Sequence, residues 1–293
     1  MSKKEKPKIG GQAVINGVMM RSPNYYSVTL RKVKGKIKTR TWKIKKPCKF
    51  LRLPFVRGIY NLVDMLRIGL KTLNYSADEA AGKKEKIKTW EMVLTIFLTV
   101  VFGLAIFKFI PLGIAWLFER SFTAVKESYI LFNAIDGVSK IIIFVLYIVI
   151  ISLMKDIKDI FRYHGAEHKA VNCYEADKEL TVKNCRKFSR LNLRCGTSFL
   201  IIVLIISIFV YVFIPKNFSF FTKLGLRILL LPVIASISYE ILRLLDRFKY
   251  SIVARILSQP GLLIQRLTCY EPNNRQIEVA IASLKSLLKK EKI

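Results

Sequence analysis

The chain has 293 residues, with 50 Lys and Arg against 20 Asp and Glu for a formal net charge of +30, and is nonetheless 52% hydrophobic with a mean hydropathy of +0.33. That content could bury a large core, but it comes in long blocks that are apolar all round, which argues against a soluble helical domain. The five cysteines, at positions 48, 173, 185, 195 and 269, give no sign of a disulfide framework and fit a reducing compartment.

The N-terminal "MSKKEKPK" is charged with no apolar stretch behind it, so no cleavable signal peptide is expected. Residues 10–46 carry Gly, Pro and Asn breaks, and the alternating segments "YSVTLRKV" and "KIKTRTWKI" flank a turn-like "KGK". They predict a small antiparallel β element. Over residues 50–74, Phe55, Ile59, Leu62, Val63, Leu66 and Leu70 return near the helical period while Arg52, Arg57, Arg67 and Lys71 share the polar side. This predicts an amphipathic helix on the inner leaflet of a membrane. The lysine-rich "GKKEKIK" follows as a hinge or surface linker and closes a basic region over residues 1–90.

Four blocks then read as membrane spans, each near the roughly 20 residues that a hydrocarbon core of about 30 Å requires. They are Met92–Leu117 and Val138–Met154, within residues 91–154, and Cys195–Ile214 and Leu224–Leu245, within 195–245. Lys and Arg number 23 ahead of the first span and 10 between the second and third, but only 2 between the first and second. The positive-inside rule therefore predicts both termini and the 155–194 loop in the cytoplasm. Each Lys or Arg near an anionic inner leaflet gains about 1 kcal/mol, so membrane adhesion accounts for most of the charge. A ribosome, a translocon or another membrane protein is the alternative partner for the basic surface.

In the last region, 246–293, "QPGLLIQRL" reads as a turn followed by a short apolar piece. After it, Pro272-Asn273 starts a helix in which Ile277, Ala280, Ile281, Leu284, Leu287 and Leu288 form one stripe, for packing or for the interface.

Both histidines of the chain fall in "YHGAEHKAVNCYE", residues 163–175. His164 and His168 are four apart, so on a helix they share a face, with Glu167 beside His168. This H-x-x-E-H spacing inverts the zinc-protease H-E-x-x-H. Two neutral imidazoles can share one divalent ion, and an adjacent carboxylate can take a proton from water, which makes Glu167 the candidate base. Glu175, further along the same face, and Glu240, an ionisable group inside the fourth span, are candidate completing ligands. Cys195 and Glu271 are expected near the same membrane surface. The plain alternative is a histidine pair hydrogen-bonded to loop carbonyls, and Gly165 within the helix costs about 1 kcal/mol relative to Ala.

Four segments, "GGQAVINGVMMRSP" at 10–23, "YHGAEHKAVNCYE", "RCGTSF" at 194–199 and "PGLLIQRLTCYEP" at 260–272, resemble in order the blocks of the YqhQ-like family. The resemblance covers nearly the whole chain. That family consists of bacterial membrane proteins of unknown function described as metal-dependent enzymes, which implies an inner-membrane location. Asn16 stands where the family usually has Glu, and Asn192 where it usually has His. Each replaces a ligand or base with a neutral amide, so a site that used both positions would be impaired here. Gln12, Arg21 and Arg194, from the same blocks, are candidates for holding an anionic or polar group.

The expectation is a mainly α polytopic membrane protein with four transmembrane helices, a small N-terminal β element and amphipathic interfacial helices. Its first functional reading is a metal-dependent hydrolase or transferase at the cytoplasmic membrane face, using zinc, manganese or iron. The second is a non-catalytic membrane factor whose basic cap binds a partner. A transporter is the third and least favoured, because four spans with one buried carboxylate give a thin pathway, one that a homo-oligomer could extend.

Overall fold

The computed structural model describes residues 6–32, 35–81, 89–215 and 218–292, without the side chains of residues 89 and 92. The expected linker "GKKEKIK" at 82–88, the start of "KGK" and most of the basic N-terminal stretch lie outside these residues.

The protein is mostly helical with one small sheet. Strands β1 (Gly10–Val14), β2 (Gly17–Arg21), β3 (Tyr25–Arg31) and β4 (Ile37–Lys43) form an antiparallel meander in sequence order. The helices are α1 (Val56–Ala81), α2 (Thr89–Leu104), α3 (Ile110–Ser121), α4 (Thr123–Glu127), α5 (Tyr129–Ser152) and α6 (Lys155–Glu175). After them come α7 (Val182–Arg186), α8 (Gly196–Tyr211), α9 (Phe220–Leu229), α10 (Leu231–Arg247), α11 (Ile252–Thr268) and α12 (Asn274–Glu291).

Side chains alternate across a strand, so the sheet feeds two cores. Val18 and Met20 of β2 pack with Tyr163, Ala166 and Ala170 of α6 and with Ile277 and Leu284 of α12. On the other face Met19 joins Val14, Val28 and Ile68, the last from α1. The sheet, α6 and α12 thus form a cap. Helix α12 starts on a capping box between Asn273 and Gln276, and its predicted stripe lies in the core, so it is a packing helix.

Helix α1 extends beyond the predicted 50–74, and its amphipathicity is turned outward. Asp64, Thr72 and Ser76 are buried against the protein, whereas Ile59, Val63, Leu66 and Leu70 are exposed. Gln12 fastens β1 to this helix by donating to Gly69 O and Thr72 Oγ1, and Arg21 pairs with Asp64 at 2.6 Å.

The four expected spans are not all present as full-length helices. Among the described residues, two helices are long and apolar enough to cross a membrane: Val93–Ser121, continuous through a π-helical stretch at Ala105–Phe109, and Tyr129–Ser152. A third is reached only if α9 and α10, bent by 43°, count as one broken span. The expected fourth block breaks because Pro232 opens α10, where its ring fixes φ and removes an N–H. The expected third block becomes α8, whose 16 residues reach about 24 Å at 1.5 Å each. Cys195 lies outside it as the N-cap, its sulfur accepting from Thr197 N. "QPGLLIQRL" is likewise no turn: Pro260 is tolerated inside α11, where Gly261 packs tightly on Ser198 of α8.

Candidate metal centre

Helix α6 carries His164 and His168 one turn apart, their ring centroids 4.5 Å from each other. The segment after α11 crosses this helix closely enough for Tyr270 N to donate to Phe161 O. Gly165 makes the crossing feasible, because a Cβ there would stand 2.1 Å from Tyr270 O. The helix-weakening glycine therefore brings Cys269 onto the histidines, its sulfur 3.3 Å from His164 Nδ1 and 3.6 Å from His168 Nδ1.

Backbone carbonyls set the tautomers. His164 Nδ1 donates to Thr268 O at 2.9 Å and His168 Nδ1 to Arg190 O at 2.7 Å. Because a carbonyl only accepts, each Nδ1 carries a proton, which leaves Nε2 as the ring atom that could face an ion once any proton on it is displaced, the orientation that metal-binding histidines use. His164 Nε2 lies 3.2 Å from Cys195 Sγ. One ligand atom from each of His164, His168 and Cys195 falls within a common 4.8 Å. Tetrahedral zinc ligands stand about 3.5 Å apart, so small adjustments suffice for an ion to be held there. Two imidazoles and a thiolate suit zinc or iron better than manganese, which prefers oxygen.

Glu167 is buried with Oε2 3.4 Å from His168 Nε2. A Cβ on Gly11 would meet its Cγ at 3.0 Å, so glycine in β1 makes room for this carboxylate. Burial raises the Glu167 carboxyl above its usual range, opposed by both histidines. Burial also pushes His168 down, but the Glu167 charge and the two sulfurs outweigh it and lift His168 to about 10. His164 rises in the same way through Cys195 and Cys269. Cys195 is raised by burial but held well below its ordinary value by His164. These groups hold protons that a divalent cation would displace on binding.

The remaining predicted residues stand apart from the ligand atoms. Glu240 forms a bidentate pair with Arg57 where α10 meets α1. Glu175, two turns beyond His168, pairs with Arg194 and, at 3.6 Å, with Lys249. Glu271 meets Lys169 at 2.9 Å and is largely exposed. Arg194 also donates to Ile9 O, on the side of the site facing β1. Asn16 lies in the β1–β2 turn with φ 55°, a left-handed conformation that Asn adopts more readily than Glu, and its carbonyl accepts from Arg31 N. Asn192 braces the loop before α8: its Nδ2 donates to Asn172 Oδ1, its Oδ1 accepts from Arg194 N, and its backbone pairs with Gln265. Neither asparagine occupies a ligand position of the His–Cys group.

Cys269 and the carbonyls of Arg190 and Thr268 complete the site but escape sequence reasoning, since nothing in residue spacing reveals which chain segments meet. Beside His164 and Cys195 opens a cavity of about 530 Å³, lined also by Gln12, Arg194 and Thr197.

The profile of a family described as "Protein of unknown function (DUF1385)" matches residues 53–290, most of the chain. The chain belongs to this family. It is also similar to "Uncharacterized protein YqhQ" of Bacillus subtilis (strain 168), at 35% identity over 309 aligned positions covering 99% of this chain and 96% of that protein. No solved structure matches. The expected membership is therefore shown, and neither description states an activity.

Proposed function

We propose that the protein is a metal-dependent hydrolase or transferase of the bacterial inner membrane, with its site at the cytoplasmic face. The observation that carries this reading is the His164–His168–Cys195 group, whose two Nδ1 atoms are committed to backbone carbonyls while the Nε2 atoms face Cys195 and Glu167. A divalent ion held there supplies Lewis acidity to a carbonyl or phosphoryl group. Glu167, buried beside His168, receives the proton of the attacking water or hydroxyl and returns it to the leaving group. Arg194 and Gln12, on the cavity wall, orient the polar part of the substrate.

In this reading the membrane is crossed four times, with both termini inside. The spans are the continuous α2–α3 helix, α5, the short α8 and the bent α9–α10 pair, and the shortfall of α8 is met by local thinning of the bilayer. The outward apolar stripe of α1 lies in the inner leaflet among the basic residues that surround the cap.

The test is elemental analysis of the detergent-purified protein beside a His164→Ala/His168→Ala double variant. Near-stoichiometric zinc or iron in the wild type and none in the variant is the expected outcome. A wild type that stays empty after zinc, manganese and iron are added back overturns the reading. Glu167→Gln is expected to keep the ion and lose about 10²–10⁴-fold in turnover.

A further inference from the structure

The cavity beside the His–Cys group has a mixed wall. His164, Cys195, Thr197 and Arg194, with Gln12, Asn61 and Tyr239, supply polar atoms, whereas Phe144 and Ile148 of α5 and Leu200 of α8 supply apolar ones. Its volume of about 530 Å³ lies within the range of small-molecule sites. Leu200 lines the cavity and is also 47% exposed, so the cavity opens there onto the outer surface of α8. Elsewhere on these helices α5 presents Ile142 and Leu146, each more than half exposed, and α1 presents Val63 and Leu66. Such surfaces belong against hydrocarbon, so a ligand entering beside Leu200 arrives from a lipid layer.

A second cavity of about 320 Å³ shares Gly10, Arg194, Tyr239 and Leu242 with the first. Its charged lining is Lys8, Arg194, Arg243 and Asp246; Asp246 pairs with Lys8, and Glu175, behind the lining, pairs with Arg194, so three cations stand against two carboxylates. An excess of cations on a low-dielectric wall favours an anionic group there. The pair of cavities thus offers apolar wall from α5 and α8, His164 and Cys195 on the wall of the first cavity, and a basic pocket joined to it past Arg194 and Tyr239.

We infer that the substrate is an anionic lipid, with a phosphorylated head group beside Lys8, Arg194 and Arg243 and a hydrocarbon chain between α5 and α8. The inference rests on the metal-enzyme reading for the chemistry but not for the binding. A peptide in extended form would need backbone partners along the channel, and its wall between α5 and α8 is side-chain hydrocarbon. A water-soluble phosphate ester would have no use for that channel.

The experiment uses the full chain in nanodiscs containing a phosphatidylglycerol with a photoactivatable diazirine at the end of one acyl chain. Crosslinked peptides are mapped by mass spectrometry, and metal content is measured on the same samples. Crosslinks are expected at residues 144–151 and 199–200, competed by excess phosphatidylglycerol but not by phosphatidylcholine or inorganic phosphate. Leu200→Trp fills the half-exposed mouth without overpacking a core and is expected to lower these crosslinks about tenfold with metal content unchanged. Ile148→Phe, a smaller change deeper in the channel, is the second variant and is expected to act in the same direction.

Crosslinks confined to the outer faces of the apolar helices and indifferent to both variants overturn the lipid assignment, even where the ion is present. Competition by inorganic phosphate as strong as that by the lipid also overturns it, leaving a free-phosphate site. Internal crosslinks in a protein that binds no metal support the lipid site while the enzyme reading fails, so the two failures are distinguishable.

Discussion

In the cap, His164, Glu167, His168, Cys195 and Cys269 gather lone pairs and exchangeable protons, whereas among the apolar helices Asp136, Lys140, Arg227 and Tyr211 gather charges that already hold one another. Asp136 pairs with Lys140 one turn along α5 and with Arg227 of α9 at 2.6 Å, the latter without the alignment of a full hydrogen bond. Arg227 also donates to Asn133 Oδ1 at 3.0 Å. The Tyr211 ring lies 4.7 Å from Lys140, 5.0 Å from Arg227 and 5.2 Å from Lys108, and its hydroxyl meets Lys108 and the Arg227 carbonyl. The contrast separates two uses of buried polarity. Soft donors that exchange protons beside a cavity are arranged for a guest, while carboxylate, cations and aromatic face in mutual contact fasten α5, α8 and α9 together.

Substitutions can break that contrast, beginning with the largest effect. Asp136→Asn removes the carboxylate that faces Lys140 and Arg227, and a loss of about 3–5 kcal/mol is expected, read as a lower thermal unfolding midpoint in detergent. Metal content per folded molecule should stay at the wild-type level; a fall would join the two clusters into one system. Gly165→Ala comes next, because its Cβ would collide with the Tyr270 carbonyl. About 1–3 kcal/mol of stability should be lost, and metal affinity should drop as Cys269 and the Thr268 carbonyl move off the histidines.

A smaller effect is expected for Asn192→Ala, which frees the loop carrying the Arg190 carbonyl and so loosens the His168 ring. Titration with a competing chelator should show affinity for zinc about tenfold lower with little change in unfolding temperature. The smallest belongs to Glu240→Gln. It weakens a partly solvated pair with Arg57, costs about 1 kcal/mol or less, and should leave metal content untouched. Metal loss in that variant would return Glu240 to the ligand set that its position in the sequence suggests.

The central motif was legible because the helical period alone puts His164, Glu167 and His168 together, and the β meander was legible from strand alternation around turn residues. Glu240 misled for a physical reason. A carboxylate in an apolar block needs a partner, and the nearest cation in space is Arg57, 183 positions away in the chain. The expected spans depart from full-length helices where a hydropathy run ignores local backbone chemistry: Pro232 bends one block, and the Cys195 cap delays the start of another. Asn16 and Asn192 read as lost ligands from the pattern, but backbone conformation at the first and hydrogen bonding at the second give each a structural role.

By itself the sequence determined what periodicity and composition can carry: helices apolar enough for a membrane, a strongly basic remainder, and two imidazoles with a carboxylate on one helical face. Tertiary structure alone decided that Cys195 and Cys269 join them, that Thr268 and Arg190 fix the ring tautomers, and that a cavity runs from His164 toward Leu200. The division follows from range. Side-chain periodicity acts over one or two turns, whereas a ligand set is closed by segments about 30 and 100 residues apart, brought together only when a glycine in one helix lets another segment cross it.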